Sequence, residues 1–199
     1  LPAEFVARVE KPLSGLFFGR GGYVSPPELC REMLRDSETY SELRYGDRVE
    51  DLERAGDIWK IHFTDGSSVE ADTVVLGPGY EALPCLSKHL LPIEKVRGQI
   101  ATLRQNTRSG EISFPICYDG YITPASNELH LLGGTFDHND DREYTDDEQT
   151  EDLLRRLHEN IPGVGFALTD VADTRVSFRA MTPDRLPIVG KLYNPDEFE

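Results

Sequence analysis

The chain has 199 residues, and its 38% hydrophobic and 9% aromatic content is enough for a packed core. It carries 21 Lys and Arg against 36 Asp and Glu, and this net charge of −15 excludes a general nucleic-acid-binding surface. No apolar run approaches the roughly 20 residues of a membrane span, which excludes an integral membrane protein. The three cysteines form no C-x-x-C pair, so we expect a reducing, cytoplasmic location.

The first part of the chain predicts one helix and three strands. Ser25 followed by two prolines and Glu28 is typical of a capped helix start, and the helix is expected to end near Asp36, with Cys30 on its apolar, inward face. Strands are predicted over residues 43–49, 58–63 and 69–76. The third strand ends in the uninterrupted apolar run 74–76, which predicts burial on both faces.

Beyond Pro84 the pattern is that of an antiparallel sheet with one long helix. Thr145 and Glu148 have the spacing of a capping box, which predicts a helix from there to about Asn160. A further strand is expected over residues 175–178. The strands predicted for the sheet are 96–103, 112–117, 120–123 and 129–135.

The segment from Gly77 to Ala82 matches G-x-G-x-x-A, a pattern in which glycines let a backbone approach a pyrophosphate. Pro84 would interrupt the helix that should follow, and the preceding strand closes a hairpin instead of opening a βαβ unit. We therefore expect a tight strand-exit turn that touches a cofactor held mostly elsewhere, in preference to an independent dinucleotide site.

The acidic segment 137–148 places oxygen atoms at the ligand positions of an EF-hand-like loop. Arg142 occupies the position where such a loop needs glycine, so a solvated acidic loop leading into a capped helix is the better interpretation. The five histidines have no metal-ligand spacing, and no metal site is predicted.

Arg179 ends an alternating strand and stands just before the turn-rich segment 182–190. A guanidinium beside rigid turns is suited to bidentate binding of a carboxylate. An ordinary salt bridge in this acid-rich chain is an equally good interpretation from local sequence alone.

Taken together, several segments resemble the D-amino-acid oxidase superfamily of FAD-dependent amine oxidases, and they occur in the order of that family. Within it the patterns are similar to the oxidase half of the bifunctional tRNA 5-methylaminomethyl-2-thiouridine biosynthesis enzymes, with glycine oxidase as a near relative. The segments are the glycine-rich stretch 15–26, the strand and turn 72–79, the Arg97-Gly98-Gln99 motif, Gly120 to Pro124, Leu132 to Thr135, and Arg179 to Gly190.

The resemblance implies an α+β fold with a mixed, largely antiparallel substrate-domain sheet, helices, and some strands of an FAD lobe. The implied divisions are 1–83, partly of the FAD lobe, 84–178, the substrate domain, and 179–199, a flavin-proximal loop. The βαβ unit and GxGxxG loop that open such enzymes are not in this sequence, which begins at Leu1. We therefore expect a piece of a longer enzyme that lacks its N-terminal FAD-binding region and binds FAD weakly or not at all.

The resemblance also implies roles for individual residues. Arg179 would bind the substrate carboxylate, and Tyr121 and Phe136 would face the substrate cavity. Arg97 would help position the sheet. The residues implied to border the cofactor are Val49, Gly77, Gly79, Tyr80, Asp184, Pro187, Ile188 and Gly190.

The implied reaction is FAD-dependent oxidation of the C–N bond of an N-substituted glycine, carried as a carboxymethylaminomethyl group on a tRNA wobble uridine. Arg97, Arg104 and Arg108 are candidates for a local basic cluster that would contact the tRNA. A glycine or D-amino-acid oxidase acting on free amino acids, and a degenerate binding domain without activity, are the alternatives.

Overall fold

The computed structural model describes residues 14–37, 39–81 and 91–191. Contacts divide the chain into two compact units. We call the described parts of Leu1–Arg31 and Val96–Phe178 the sheet unit, and those of Glu32–Lys95 and Arg179–Glu199 the cleft unit. Ala82 and Pro84, on which the prediction for the end of the G-x-G-x-x-A segment depends, lie outside the described residues.

The described residues form two helices and nine strands. The helices are α1 (Pro26–Asp36) and α2 (Asp147–Asn160). The strands are β1 (Val49–Ala55), β2 (Ile58–Phe63), β3 (Ser68–Ala71), β4 (Glu94–Arg104), β5 (Ile116–Tyr118), β6 (Gly120–Ile122), β7 (Leu129–Gly133), β8 (Asp137–His138) and β9 (Val171–Met181).

The cleft unit contains an antiparallel sheet in the order β1-β2-β3. The predicted strand 58–63 is confirmed as β2. The strand predicted over 43–49 is wrong, because the first strand of the sheet begins where that prediction ends. Ala55 pairs with Ile58 across the two-residue turn that contains Gly56 at φ +65°, and this turn sets the register that places β1 over 49–55.

The third predicted strand is confirmed only in its first half. Strand β3 ends at Ala71, and Val75, predicted to be buried, is 91% exposed. No described residue pairs with the segment 74–76, so it is not part of a sheet whose two faces other elements could cover.

The sheet unit contains an antiparallel sheet as predicted, in the order β5-β6-β7-β4-β8 with β9 paired to β4. The strand predicted over 112–117 is present only at its end, because β5 begins at Ile116. Helix α2 packs against it, and its residues Leu153, Leu154 and Leu157 are buried as predicted. The core they enter is built from both strands and helix: Ala101, Leu103, Ile112, Ile122, Leu132, Leu153, Leu154, Leu157, Ile161, Val164 and Phe166. The α+β fold class is thereby confirmed.

Both predicted helices are present, with two corrections. The N-cap of α2 is Asp146, not Thr145, and its carboxylate accepts a hydrogen bond from the amide of Glu148. Helix α1 ends at Asp36 as predicted, but none of its residues is buried and Cys30 is exposed. Leu29 and Met33 are exposed, and Leu34 is only partly buried. Neither helix in these ranges is long and apolar enough to cross a membrane.

Candidate cofactor and substrate site

A cleft of about 920 Å³ opens in the cleft unit, and two distant parts of the sequence form its walls. One wall is the extended segment 74–79, with Leu91 and Ile93 beside it. The other consists of residues 180–182 and 185–191, the end of β9 and the turn-rich segment after it. The structure thus brings together two of the segments on which the resemblance rests.

Glycines leave room for a ligand on both walls of this cleft. A Cβ atom placed on Gly77, Gly79 or Gly190 would meet no heavy atom within 4 Å. Gly79 also has φ +66°, a left-handed conformation that glycine adopts without strain. Backbone at these positions can be approached more closely than backbone that carries side chains.

The turn from Thr182 to Leu186 is held by its own side chains. The amide of Leu186 donates to the carboxylate of Asp184 at 3.0 Å, and the hydroxyl of Thr182 donates to the carbonyl of Leu186 at 2.8 Å. The Leu186 hydrogen bond is the main reason that the pKa of Asp184 is lowered. Arg185 lies at the corner with φ +62°, and its amide donates to the carbonyl of Thr182 at 3.0 Å. Asp184, predicted to border the cofactor, therefore shapes the turn that lines the cleft.

Two further predicted cofactor residues lie beside the segment 74–79. Tyr80 directly follows that segment and carries the Lys95 ammonium 5.3 Å from its ring centroid. Val49 starts β1 next to Arg48, whose guanidinium pairs with the carboxylate of Glu81 at 3.5 Å. This ion pair places the start of β1 close to the end of the glycine turn.

The three residues predicted to contact substrate are divided between the two units. Arg179 is half-buried in β9, one residue before the cleft wall begins at Ala180. Tyr121 lies in β6, and a Cβ on its cross-strand neighbour Gly133 would come within 2.0 Å of its ring. Phe136 is 44% exposed, with its ring edge-to-face on His138 at 5.3 Å. That these three residues line one cavity stays a prediction.

Arg97, which the resemblance implies to position the sheet, has its partners in a segment that the sequence did not connect with it. It is fully buried, and its guanidinium donates to the carbonyl of Arg142 at 2.8 Å and to that of Tyr144 at 2.6 Å. Further acceptors are the side chains of Gln149 and Gln99. Arg97 therefore fastens the acidic loop to the sheet and is not accessible to tRNA, which removes it from the predicted basic cluster. The Arg97-Gly98-Gln99 motif was the signal that could have located this role.

Gln99 completes the attachment of the acidic loop to the sheet. Its amide group donates to the carbonyl of Asp146 at 2.7 Å and to the hydroxyl of Thr150 at 2.9 Å, and its carbonyl accepts from the amide of Asp146 at 2.8 Å. The motif therefore holds the first turn of α2 as well as the loop before it.

Within the acidic loop the guanidinium of Arg142 binds two carboxylates. Arg142 pairs with Asp140 and with Asp146, each at 2.8 Å. Its hydrogen bonds lower the pKa of Asp140 to about 2. Among the described residues no group of three or more His, Cys, Asp or Glu side chains is placed to hold a metal ion.

His130 and Ser109 form a hydrogen-bonded pair that superficially resembles a nucleophile and its base. The Nε2 atom of His130 lies 2.9 Å from the Ser109 hydroxyl, and its Nδ1 atom lies 2.8 Å from the carbonyl of Thr123. Both side chains are fully buried, and the outer partner is a backbone carbonyl where a catalytic triad has a carboxylate. The pair serves to link the β6–β7 hairpin to the turn at Ser109.

The cleft fits a flavin cofactor in three respects. Its volume lies at the upper end of the range for small-molecule sites, its walls are mostly apolar, and its glycines offer close approach. Leu186, Ile188 and Val189 are exposed there and would pack on an aromatic ring system. The residues that would hold FAD on this chain are those of segments 76–80 and 186–190.

Comparison with known proteins identifies a family that uses FAD, the cofactor that this cleft fits. The family model described as FAD dependent oxidoreductase matches residues 1–198. The chain is 32% and 34% identical to the tRNA 5-methylaminomethyl-2-thiouridine biosynthesis bifunctional proteins (MnmC) of Stutzerimonas stutzeri and Pseudomonas putida strain W619. Each match covers 98% of this chain but only 30% of the relative.

Solved structures share the fold. Glycine oxidase from Bacillus cereus matches with a TM-score of 0.70 at 18% identity, over 83% of this chain and 46% of its own. Iminodiacetate oxidase from Chelativorans matches with a TM-score of 0.61 at 21% identity, over 78% and 42%. The resemblance inferred from the sequence motifs is confirmed. This chain belongs to the D-amino-acid oxidase (DAO) family of FAD-dependent oxidoreductases.

Proposed function

We propose that this chain contributes the flavin-facing cleft and the substrate-binding arginine of an enzyme that oxidises the C–N bond of an N-substituted glycine. The substrate is the carboxymethylaminomethyl group of a tRNA wobble uridine. One observation carries the proposal: Arg179 directly precedes the cleft wall 180–191, in a chain that is 32–34% identical to two tRNA-modifying proteins over nearly its whole length.

Arg179 suits this role because of its position and chemistry. It is half-buried, so a carboxylate bound to it is partly withdrawn from water, where a charge-assisted hydrogen bond is stronger. Its planar guanidinium can hold both carboxylate oxygens at once and thereby fix the orientation of the neighbouring methylene carbon. Tyr121 and Phe136 are the proposed aromatic contacts of the rest of the substrate.

The reaction balances without a metal ion. FAD, held by segments 76–80 and 186–190, would supply the two-electron acceptor, so that the methylene carbon of R–NH–CH₂–COO⁻ would lose a hydride and the nitrogen a proton. Water then adds to the resulting C=N bond of the substrate, which releases the amine R–NH₂ and glyoxylate. The role of this chain is to bind the carboxylate and to keep the methylene carbon in one orientation while the C–H bond breaks.

The experiment uses the complete gene product that contains this chain. We expect flavin absorbance bands in the purified protein and glyoxylate release from 5-carboxymethylaminomethyluridine, supplied either in tRNA that carries this modification or as the free nucleoside. Arg179→Met should lower kcat/KM roughly a hundredfold, because two charge-assisted hydrogen bonds are lost. Arg175→Met, four residues earlier on the same strand and exposed, is the matched control.

A second substrate separates carboxylate binding from a purely structural role. The wild-type protein should prefer the free carboxylate over its methyl ester, and Arg179→Met should lose this preference while Arg175→Met keeps it. Unchanged discrimination in Arg179→Met would show that another residue binds the carboxylate. Turnover of glycine but not of the modified uridine would replace the tRNA substrate with a free amino acid. A protein that takes up no flavin would leave a binding domain without oxidase activity.

A further inference from the structure

The antiparallel sheet of the sheet unit has one face against α2 and one face turned away from it. Ile122 and Ala101 are both cross-strand partners of Leu132, and all three belong to the core that α2 enters. Because successive side chains of a strand point to opposite faces, Tyr121 and its partner Gly133 lie on the other side of the sheet. We call this side, which carries Tyr121 and Gly133, the far face.

A β-bulge lies at Phe136, one of the proposed aromatic contacts of the substrate. Gly133 pairs with Ile100 and Asp137 pairs with Arg97, so four steps along this part of the chain are matched by only three steps along β4. The extra residue changes the alternation, so that Asp137 lies on the α2 side of the sheet with Arg97 while Gly133 lies on the far face. Bulges of this kind re-aim a side chain and are common beside active sites.

Hydrogen bonds on both sides of Phe136 fix the bulge. The hydroxyl of Thr135 donates to the carboxylate of Asp137 at 2.6 Å and accepts from the amide of Gln99 at 2.9 Å. The same carboxylate accepts a hydrogen bond from the side chain of Gln149, in α2, at 3.1 Å. Both neighbours of Phe136 are therefore held on the α2 side, and strand alternation directs the Phe136 ring to the far face.

His138 lies beside Phe136 on the far face. It pairs with Val96, the neighbour of Arg97 in β4, and therefore points away from α2. The two rings are in edge-to-face contact with their centroids 5.3 Å apart, and both side chains are exposed. Exposed aromatic rings in fixed positions are suited to stacking against a flat ring of a ligand, and nucleobases stack on such rings without regard to their sequence.

We propose that Phe136 and His138 bind the uracil ring of the substrate, with His138 as a residue that determines specificity. This inference rests on the proposed function, in which the substrate is a modified uridine whose carboxylate binds Arg179. The chain has a net charge of −15, which disfavours a phosphate ligand, whereas the uracil ring is uncharged. Stacking on this pair would favour a nucleoside-borne N-substituted glycine over a free amino acid of the same chemistry.

The test measures binding of 5-carboxymethyluridine to the complete gene product by NMR titration. This nucleoside keeps the uracil ring and a carboxylate but has no amine, so oxidation of a C–N bond cannot consume it. Phe136→Leu and His138→Leu should each weaken binding about tenfold, the effect expected for loss of one contact between a base and an aromatic ring. His158→Leu removes an exposed histidine from α2 and is the matched control, with no change in Kd expected.

Turnover separates recognition of the base from a structural role. The ratio of kcat/KM for 5-carboxymethylaminomethyluridine to that for N-methylglycine should fall about tenfold in His138→Leu and keep its wild-type value in His158→Leu. Equal losses on both substrates, unchanged nucleoside binding in both aromatic variants, or no nucleoside binding by the wild type would overturn the proposal. A protein that takes up no flavin but binds the nucleoside through these two residues would refute the oxidase function alone, so the two ideas can fail separately.

Discussion

Replacing Arg97 by methionine should destabilise the sheet unit much more than the same replacement at an exposed arginine. Arg97 is fully buried and supplies donors to the carbonyls of Arg142 and Tyr144 and to the side chain of Gln149. Methionine fills similar space but leaves these acceptors without a donor. Each unsatisfied buried acceptor lowers the free energy of unfolding by about 1–3 kcal/mol. Because the loop lies partly in water, which can satisfy some of these acceptors, we expect a total loss of about 3 kcal/mol.

Arg155→Met is the matched control. Arg155 is 57% exposed and pairs with Asp152 and Glu159 on the surface of α2, an arrangement worth about 0–1 kcal/mol. Urea unfolding followed by far-ultraviolet circular dichroism measures both variants. With a slope of about 2 kcal/mol/M, the Arg97 variant should unfold at about 1.5 M less urea than the wild type. Fluorescence of Trp59, the single tryptophan, reports separately on the cleft unit.

Limited proteolysis tests whether the loss is located in the acidic loop. Trypsin should cleave after Arg142 faster in Arg97→Met than in Arg155→Met, because the loop carbonyls are no longer held by the sheet. A loss of stability below about 1 kcal/mol, equal in the two variants and without faster cleavage at Arg142, would refute the view that Arg97 fastens this loop.

Two further predictions concern the same unit. The pKa of Asp140 is lowered to about 2 by Arg142, so the ionised carboxylate stabilises the fold fully above the unfolded-state pKa of about 3.9, and this stabilisation is lost as pH falls from about 4 towards 2. The melting temperature of Asp140→Asn should therefore depend less on pH over this interval than that of the wild type. The same pH dependence in both proteins would contradict the prediction. Gly133→Ala should lower the free energy of unfolding by about 1–3 kcal/mol, because the new Cβ would meet the Tyr121 ring. Most of this loss should disappear when the same substitution is made in Tyr121→Ala. Equal losses in both backgrounds would exclude the clash.

Local patterns predicted the elements whose determinants lie within the element or in its flanking turn. Strand β2 and helix α2 were predicted correctly because alternation, a turn with glycine, and an acidic helix start are all local features. The second half of the strand predicted over 69–76 was wrong for the opposite reason. Its apolar run satisfies the pattern, but strand formation requires a pairing partner, and none of the described residues provides one.

The candidate site shows the same division between local and long-range information. The two cleft walls are about a hundred residues apart in the sequence, and neither the glycine turn nor the segment after Arg179 indicates by its spacing that the other will be its neighbour. Family resemblance supplied that pairing, because it treats the two segments as parts of one enzyme. The role of Arg97 is different. Arginine in the middle of a strand predicts a solvent-facing side chain, and only the return of the acidic loop, some 45 residues later, makes its burial favourable.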